Sequence, residues 1–248
     1  METILELQNI SHSYHSNEGE TPALKNLSFT LNKGEFISIV GPSGCGKSTL
    51  LSIITGLLTP EQGTIRLHGH NLGYMLQKDH LLEWRTIFKN VILGLEVQHT
   101  LTPDKKDKAF DLLAKYGLKD FANAKPSELS GGMRQRAALV RTLILEPDLL
   151  LLDEPFSALD YQTRLEVSDD IGQIIKHEGK TAILVTHDLA EAVSMGNRVI
   201  VLTARPGSIK TIIPLTFPLE SDTPLLRRET IEFNHYFQTI WKELNEHA

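Results

Sequence analysis

The fold of this 248-residue chain is decided by the run Gly41-Pro42-Ser43-Gly44-Cys45-Gly46-Lys47-Ser48. The run fits the pattern G-x-x-x-x-G-K-[ST] in full, and its two flanks have the required character. Phe36–Val40, in front of it, is an apolar segment of strand length, and Lys47–Leu58, behind it, has the pattern of a helix. Strand, glycine-rich loop and helix together predict a phosphate-binding loop, the P-loop.

The chemistry of this loop assigns a role to several of its residues. Its glycines allow backbone N–H groups to approach phosphate oxygens, and the helix N-terminus adds partial positive charge. Lys47 is expected to reach the β- and γ-phosphates and the Ser48 hydroxyl to ligate Mg²⁺. Cys45 is not expected to be a nucleophile, but a bulky group on its thiol is expected to collide with the nucleotide. The residues predicted to bind ATP here are Gly41, Pro42, Ser43, Gly44, Cys45, Gly46, Lys47, Ser48 and Thr49.

A second chemical feature follows an apolar run in the later half of the chain. Leu149–Leu152 consists of four leucines and is directly followed by Asp153 and Glu154. The length of the run predicts a buried strand that ends in two carboxylates. Asp153, at the strand tip, is placed to hold Mg²⁺ through water, and Glu154 to polarise an attacking water. A carboxylate base suits hydrolysis of a phosphate bond better than transfer to a bound hydroxyl.

A third segment, Leu129-Ser130-Gly131-Gly132-Met133-Arg134-Gln135-Arg136, is the most specific. Ser130 is a good N-cap, and Gly131 and Gly132 expose backbone N–H groups at a helix start, which builds a second anion site. Two phosphate-binding devices far apart in one sequence need not face each other within one molecule. A head-to-tail pair of copies resolves this, because each ATP then lies between one copy's P-loop and the other copy's Ser130–Gly132.

With these three segments the chain resembles the ATP-binding cassette (ABC) family over nearly its whole length. The resemblance implies ATP and Mg²⁺ as ligands. Tyr14 is similar to the aromatic residue that stacks on adenine, and Gln77 resembles the Q-loop glutamine that senses Mg²⁺ and the attacking water. Ser157–Asp160 looks like the D-loop, and His187 like the switch histidine beside the γ-phosphate. The implied site is then Glu154, His187 and Gln77 for catalysis; Ser48, Gln77 and Asp153 for the metal; Asp160 in the D-loop; and Ser130, Gly131, Gly132 and Gln135 for the partner copy's ATP.

Three further segments narrow the resemblance to the ATPases of nitrate, taurine and aliphatic-sulfonate importers. They are Leu81–Thr86, Phe156–Asp160 with Gln162–Arg164, and Ala204–Gly207. Importers of thiamine precursors share these segments and stay open as an alternative. Solute selectivity belongs to other chains of an importer, so the sequence does not name the solute.

Composition and the chain ends restrict the class of function. The 25 basic and 31 acidic residues give a net charge of −6, which argues against a general nucleic-acid binder. No apolar run approaches the roughly 20 residues that span a bilayer, and Met1-Glu2-Thr3 lacks the start of a secretory signal. We therefore expect a peripheral protein on the cytoplasmic face of the cell membrane. Its expected partners are a second ATPase subunit (the same chain or a paired one), an integral membrane permease and an extracytoplasmic solute-binding protein, with no nucleic acid.

Two other classes compete with a transporter subunit. A soluble ABC protein acting on DNA or ribosomes would carry a long coiled-coil insertion or a second cassette, and the sequence has neither. The other class is a P-loop kinase or GTPase. A kinase would have no use for Leu129–Gln135, and a GTPase would carry an Asn-Lys-x-Asp motif. The nearest segment, Asn32–Glu35, ends in glutamate and precedes the P-loop.

The expected fold class is α/β: a P-loop NTPase (ABC-type) core with a mainly parallel sheet, an N-terminal antiparallel β subdomain and an inserted helical subdomain. A single ABC ATPase domain, 1–248, divides into a nucleotide-binding core (1–76 and 147–215), a helical signature subdomain with the Q-loop (77–146) and a C-terminal helical extension (216–248). Strands are expected at Leu27–Leu31 and Thr64–Leu67, and a mostly helical pattern from about Leu81 to Leu145. Within it, Thr102-Pro103 is a good N-cap and first-turn pair, and Gly117 a good stop for that helix. Thr223-Pro224 is expected to open the last helix. Phe233, Phe237, Ile240, Trp241 and Leu244 are expected on its face toward the body of the domain.

Overall fold

The structure, a computed structural model, describes residues 2–17, 19–69 and 71–245. Its strands are β1 Thr3–Ser16, β2 Gly19–Asn32, β3 Phe36–Val40, β4 Gln62–Leu67, β5 Leu72–Met75, β6 Leu149–Asp153, β7 Thr181–Val185, β8 Arg198–Leu202 and β9 Ile209–Pro214. Its α-helices are α1 Lys47–Ile54, α2 Ile87–Val91, α3 Leu93–Val97, α4 Pro103–Lys115, α5 Gly131–Leu143, α6 Tyr161–His177, α7 Leu189–Met195, α8 Pro224–Arg227 and α9 Ile231–Asn245.

The larger sheet has the strand order β5-β6-β7-β3-β8-β9. Its first five strands in that order run parallel, and β9 is an antiparallel edge strand on β8. The predicted mainly parallel sheet is confirmed. Because β3 and β6 run the same way, the loop after β3 and the carboxylates after β6 meet at one edge of the sheet, where parallel α/β folds bind ligands.

Both faces of this sheet are covered, which explains why a run of four leucines forms a strand. Leu149 and Leu151 in β6 pack with residues of α1 and the antiparallel sheet, whereas Leu150 and Leu152 pack with the helical insertion. A strand that is buried on both faces needs a continuous apolar run rather than alternation.

A separate antiparallel sheet, ordered β2-β1-β4, holds the N-terminal part of the chain. The predicted antiparallel subdomain is thereby confirmed, and the strand segments expected at Leu27–Leu31 and Thr64–Leu67 lie inside β2 and β4. The sequence analysis did not identify β1, β5 or β9. In β1, register shifts against β2 interrupt the alternation of buried and exposed residues, so its sequence lacks a sustained period of two.

The helical insertion between β5 and β6 contains α2 to α5, as predicted for 81–145. The Thr102 hydroxyl accepts a hydrogen bond from the Lys105 N–H at 3.3 Å, and Pro103 occupies the first turn of α4. Gly117, just past the end of this helix, has φ +70°. These caps confirm the predicted start and stop of α4.

The first helix is shorter than predicted. It ends at Ile54 rather than at Leu58, because Gly56 takes the left-handed conformation with φ +75° and its N–H bonds the Ile53 carbonyl oxygen at 3.1 Å. A glycine in this conformation ends a helix because no Cβ opposes it.

The C-terminal part also differs from the prediction. Thr223-Pro224 opens only the short helix α8, and α9 starts afresh at Ile231, with the Thr230 hydroxyl accepting from the Phe233 N–H at 3.1 Å. Ile240 is fully buried, but Trp241 is 58% exposed. Trp241 is rotated by about 100° from Ile240 around the helix, so it lies at the edge of the apolar face. The residues of α9 that do pack on the body are Phe233, Phe237, Ile240 and Leu244.

Across residues 2–17, 19–69 and 71–245, no helix combines the length and apolar character that crossing a membrane requires.

Candidate nucleotide site

The loop between β3 and α1 has the backbone of a phosphate cradle. Gly44 and Gly46 have φ +76° and +98°, in the left-handed region that favours glycine. A Cβ on Gly46 would lie 2.7 Å from the Leu24 Cδ2 and 2.8 Å from the Ala23 carbonyl oxygen. Both the conformation and the space therefore require glycine at position 46.

A cavity of about 620 Å³ opens over this loop. Two of its lining residues, Tyr14 and Ala23, come from the antiparallel sheet, and the others come from the P-loop, α1 and the segments that follow strands of the large sheet. The lining residues are Tyr14, Ala23, Ser43, Gly44, Gly46, Lys47, Ser48, Thr49, Glu154, His187 and Arg205.

Lys47 lies at the cavity, whereas Cys45 is buried beside it, with the Lys47 Nζ 3.9 Å from the Cys45 sulfur. Lys47 lines the cavity, and its Nζ donates to the carbonyl oxygens of Gly41 at 2.8 Å and Pro42 at 3.1 Å. Cys45 is fully buried and belongs to the core between the two sheets, and burial raises the pKa of its thiol. Among the described residues the cavity lining does not include Cys45, and the expectation that a group on this thiol would meet the nucleotide stays a prediction.

The residues predicted to hold magnesium lie partly together. The Ser48 hydroxyl donates to Asp153 Oδ1 at 3.5 Å, and the Tyr74 hydroxyl donates to Asp153 Oδ2 at 3.2 Å. Burial raises the pKa of Asp153, and burial followed by the Asp153 charge raises the pKa of Tyr74 to about 12. A hydroxyl and a carboxylate on converging elements are the hard oxygen donors that Mg²⁺ prefers, so this pair fits the ion.

Two of the three residues predicted to be catalytic contact a carboxylate oxygen of the third, Glu154. Glu154 Oε2 lies 3.2 Å from His187 Nδ1 and accepts from Gln77 Nε2 at 3.3 Å. Gln77 Nε2 also donates to the Ser157 hydroxyl at 3.3 Å. Glu154 has φ +45°, a left-handed conformation that is rare for a residue with a side chain and concentrates at functional sites.

The second anion device stands apart from the cavity. The Ser130 hydroxyl caps α5 by accepting from the Met133 N–H at 3.3 Å, and the helix begins at Gly131. A Cβ on Gly132 would lie 2.9 Å from the Val167 Cγ2 in α6. Gln135 is buried with no hydrogen-bond partner for Oε1 among the described residues. Within the part of the chain that the structure describes, the cavity lining includes none of Ser130, Gly131, Gly132 and Gln135.

Two further predicted residues are placed at element ends. Asp160 caps α6 by accepting from the Thr163 N–H at 3.1 Å. Hydrogen bonding from the Thr163 side chain, and then from its N–H, lowers the pKa of this exposed carboxyl. The Tyr14 hydroxyl pairs with the Thr49 hydroxyl at 3.0 Å, which ties the β1 aromatic ring to the helix behind the P-loop.

Sequence reasoning missed three residues of this site. Ala23 and Arg205 line the cavity, and Tyr74 bonds Asp153. Arg205 Nε donates to the Pro22 carbonyl oxygen at 3.2 Å, beside Ala23. The one available signal was the segment Ala204–Gly207, which by sequence marked only the subfamily. Tyr74 gave none, since β5 itself was not predicted.

A glycine-rich loop between β3 and α1, facing two carboxylates at the end of β6, defines a P-loop nucleoside triphosphatase. The sequence profile of the ABC transporter family matches residues 24–157, which is more than half of the chain. The chain therefore belongs to the ABC transporter family, and within it to the ATP-binding subunits that hydrolyse ATP.

Individual relatives agree. An uncharacterized ABC transporter ATP-binding protein, YtlC of Bacillus subtilis (strain 168), is 47% identical, over 98% of this chain and 96% of YtlC. The taurine import ATP-binding protein TauB of Jannaschia sp. (strain CCS1) is 39% identical, over 98% of this chain and 92% of TauB. Among solved structures, the dimeric post-hydrolysis state of the ATP-binding cassette MJ0796 bound to ADP and Pi is similar with a TM-score of 0.74 and 31% identity, covering 86% of this chain and all of that one (100%).

Proposed function

We propose that this ATPase subunit powers the import of a nitrate-, sulfonate- or taurine-like solute through a separate integral membrane permease. Similarity to TauB and the segments Leu81–Thr86 and Ala204–Gly207 support this solute class. The proposal includes an extracytoplasmic solute-binding protein that delivers the solute. It also places the subunit on the cytoplasmic face of the cell membrane, bound to the permease.

The observation that carries the proposed mechanism is the convergence of Gln77 and His187 on Glu154 Oε2 at the cavity. Glu154 acts as the general base and accepts a proton from the water that attacks the γ-phosphate. His187 and Gln77 orient that water and the carboxylate. Positioning and electrostatics supply most of the catalysis in such phosphoryl transfer.

Binding roles are assigned to residues of the P-loop and of the cavity lining. Tyr14 stacks on the adenine, and Gly41–Thr49 surround the phosphates with backbone N–H groups and the Lys47 ammonium. Ser48 and Asp153 hold magnesium, Asp153 through water, with Gln77 as a further ligand. When bound, the ion neutralises charge that develops on the β- and γ-phosphates.

The signature residues act across a pair of subunits, either two copies of this chain or two related chains. Ser130, Gly131, Gly132 and Gln135 complete the site of the partner's ATP, and Asp160 in the D-loop lies at the pair interface. The dimeric MJ0796 structure supports this arrangement. In domain terms, 1–76 and 147–215 form the nucleotide-binding core, 77–146 the signature subdomain and 216–248 the extension.

The test begins with the neighbouring open reading frames, which are searched for a permease and a solute-binding protein, and any such pair is reconstituted with this chain. The permease and ATPase are placed in lipid nanodiscs, and ATP hydrolysis is measured with the binding protein carrying taurine, an alkanesulfonate, nitrate or a thiamine precursor. We expect hydrolysis to rise only with one of the first three solutes.

The other outcomes separate the alternatives. Stimulation by the thiamine precursor alone would move the chain to that class of importer. If the permease leaves the rate of ATP hydrolysis unchanged and the protein sediments with ribosomes or DNA, the chain is a soluble ABC ATPase instead. Lys47→Ala, which we expect to lose tight ATP binding or hydrolysis, serves as the negative control.

A further inference from the structure

The segments on either side of Glu154 and His187 are joined by a second set of contacts, away from the cavity. Arg164 lies in the first turns of α6, directly after the D-loop. One of its nitrogens, Nη2, donates to the Leu159 carbonyl oxygen at 3.0 Å. The other, Nη1, donates to Asp188 Oδ2 at 3.1 Å. One guanidinium therefore joins the D-loop to the residue that follows His187.

The switch segment is also held from its other side. The Thr186 hydroxyl accepts from the Asp188 N–H at 3.0 Å and donates to Glu191 Oε2 at 2.6 Å. Asp188 Oδ1 caps α7 by accepting from the N–H groups of Ala190 at 2.8 Å and Glu191 at 3.2 Å. Both neighbours of His187 are thus fixed, while the His187 side chain itself is 60% exposed.

These contacts close a ring with the candidate base. The Ser157 hydroxyl, at the start of the D-loop, donates to the Glu154 carbonyl oxygen at 3.0 Å. The D-loop leads on to Leu159, which Arg164 connects to Asp188. His187 then returns to Glu154 Oε2 across 3.2 Å. Two links of this ring are made by side chains between segments: the His187–Glu154 pair, and Arg164 between the D-loop and the switch segment.

We propose that Arg164 is a positioning residue for ATP hydrolysis, which sets the distance between the D-loop and the switch segment so that His187 stays at Glu154. This inference rests on the proposed roles of His187 and Glu154. Two properties of arginine suit this role. Its planar fork donates in two directions at once, and its charge persists at every physiological pH.

The experiment compares Arg164→Met, Arg164→Lys, Asp188→Asn and the double variant Arg164→Met/Asp188→Asn. Asp188→Asn keeps an oxygen for the α7 cap but puts an amide donor where Arg164 needs an acceptor. A lysine has one point charge and does not bridge both partners. kcat and KM for Mg·ATP are measured for each purified variant, together with the thermal unfolding midpoint.

We expect each single variant to lose about 10- to 100-fold in kcat, the range seen when a reacting group is displaced slightly, with KM within about 2-fold of the wild type. The double variant is expected to be no slower than the slower single variant, because both changes break the same link. A wild-type kcat in Arg164→Met, losses that multiply in the double variant, or an effect confined to KM would overturn the inference.

Arg198→Met is the matched control. Arg198 pairs with Glu35 at 2.6 Å with side-chain exposures of 19% and 16%, close to the 24% and 26% of Arg164 and Asp188. Arg198 lies at the amino end of β8, whereas the cavity residues follow the carboxyl ends of the parallel strands. We expect lower stability with unchanged kcat, whereas an equal loss of kcat would mean that any lost ion pair slows the enzyme. Glu154→Gln separates the two hypotheses: if it hydrolyses at the wild-type rate, the proposed role of Glu154 as base fails, and if only Arg164→Met does, the inference alone fails.

Discussion

Among single residues, Glu154 combines an unusual backbone with a central place in the site. Its left-handed conformation is held by its N–H bond to the Val185 carbonyl oxygen at 2.8 Å and by the Ser157 contacts on its carbonyl. A non-glycine residue in this region costs of order 1 kcal/mol or more, so the surrounding contacts must impose it. The conformation directs the carboxylate to His187 and Gln77 instead of along the strand.

Glu154→Gln is expected to keep this geometry and to remove the base. Glutamine preserves the size and one hydrogen bond but does not accept a proton, so hydrolysis should fall by about 10²- to 10⁴-fold. ATP binding should persist, and loss of a negative charge beside the γ-phosphate should favour a stable ATP-bound pair. Hydrolysis assays and size-exclusion chromatography with Mg·ATP check both parts. A variant that is slow because it binds no ATP would assign Glu154 to structure or metal binding.

The Cys45 thiol is expected to resist thiol reagents in the native protein. It is fully buried, and a Cβ on Gly41 would lie only 2.7 Å from its sulfur, which shows how closely the loop packs around it. Burial also raises the pKa of the thiol, so little reactive thiolate forms. Labelling with a chromogenic disulfide should be slow in buffer and complete in denaturant. Rapid native labelling that Mg·ATP blocks would place the thiol in the cavity.

At the scale of elements, the start of α5 contains a glycine on which the packing of two helices depends. A Cβ on Gly132 would lie 2.9 Å from the Val167 Cγ2 and 3.1 Å from the Thr163 Cγ2 of α6. The signature helix therefore lies so close to the helix that follows the D-loop that a Cβ on Gly132 would require the Val167 and Thr163 methyl groups to shift.

Gly132→Ala is expected to destabilise the protein by about 1–3 kcal/mol, the usual cost of overpacking a core contact. Denaturant unfolding measures this free energy. Val167→Ala in the same chain removes the nearest methyl group, so the double variant should lose less than the sum of the two single changes. Strict additivity would show that the added methyl group is accommodated without touching Val167.

For the whole molecule, the separation of Ser130 from the cavity lining predicts that one subunit completes its site with another. Ser130→Arg should leave ATP binding by a single copy intact and block ATP-driven pairing, since a bulky cation would obstruct closure. ATP binding by a single copy is measured by titration with a fluorescent ATP analogue. ATP-driven pairing is measured by sedimentation with Mg·ATP, with Ser130→Arg introduced into the Glu154→Gln variant. Pairing at the wild-type affinity would contradict the head-to-tail arrangement.

Stability is expected to depend on pH through Glu191, which links the switch segment to the core. Burial raises its pKa from 4.5 to about 7, with Asp188 adding to the shift and Arg164 and Arg228 opposing it. The folded protein then binds a proton that the unfolded chain releases, so this stabilisation is full below pH 4.5 and is lost as pH rises through about 7.

Glu191→Gln is expected to remove that dependence, because the amide stays neutral and keeps an oxygen for the Thr186 hydroxyl. At about 1.4 kcal/mol per pKa unit, the free energy of unfolding of the wild type should fall by about 3 kcal/mol more than that of the variant across the window. Urea unfolding at several values between about pH 5 and pH 8 tests this, a range that spans the folded pKa. Parallel profiles for the two proteins would show that Glu191 ionises freely in the folded state.

Much of the molecule was determined by local sequence. Gly41–Ser48 specified a strand, a loop and a helix, because positive φ angles and close approach restrict such positions to glycine. The four leucines of β6 specified a strand buried on both faces, and Thr102-Pro103 with Gly117 specified the bounds of α4, because caps act through neighbouring backbone groups. Local patterns of this kind carry their own structural information, so they can be read without the fold.

The tertiary structure decided what depends on distant packing. It turned Cys45 into the core and broke the predicted last helix at Thr230. It also brought to the nucleotide site Tyr74, which no motif marked, and Arg205, whose segment had marked only the subfamily. It also joined Leu159 to Asp188 through Arg164. Each of these contacts unites segments whose separation in sequence gives no period or pattern to read, and their geometry exists only once the two sheets and the helices between them have packed.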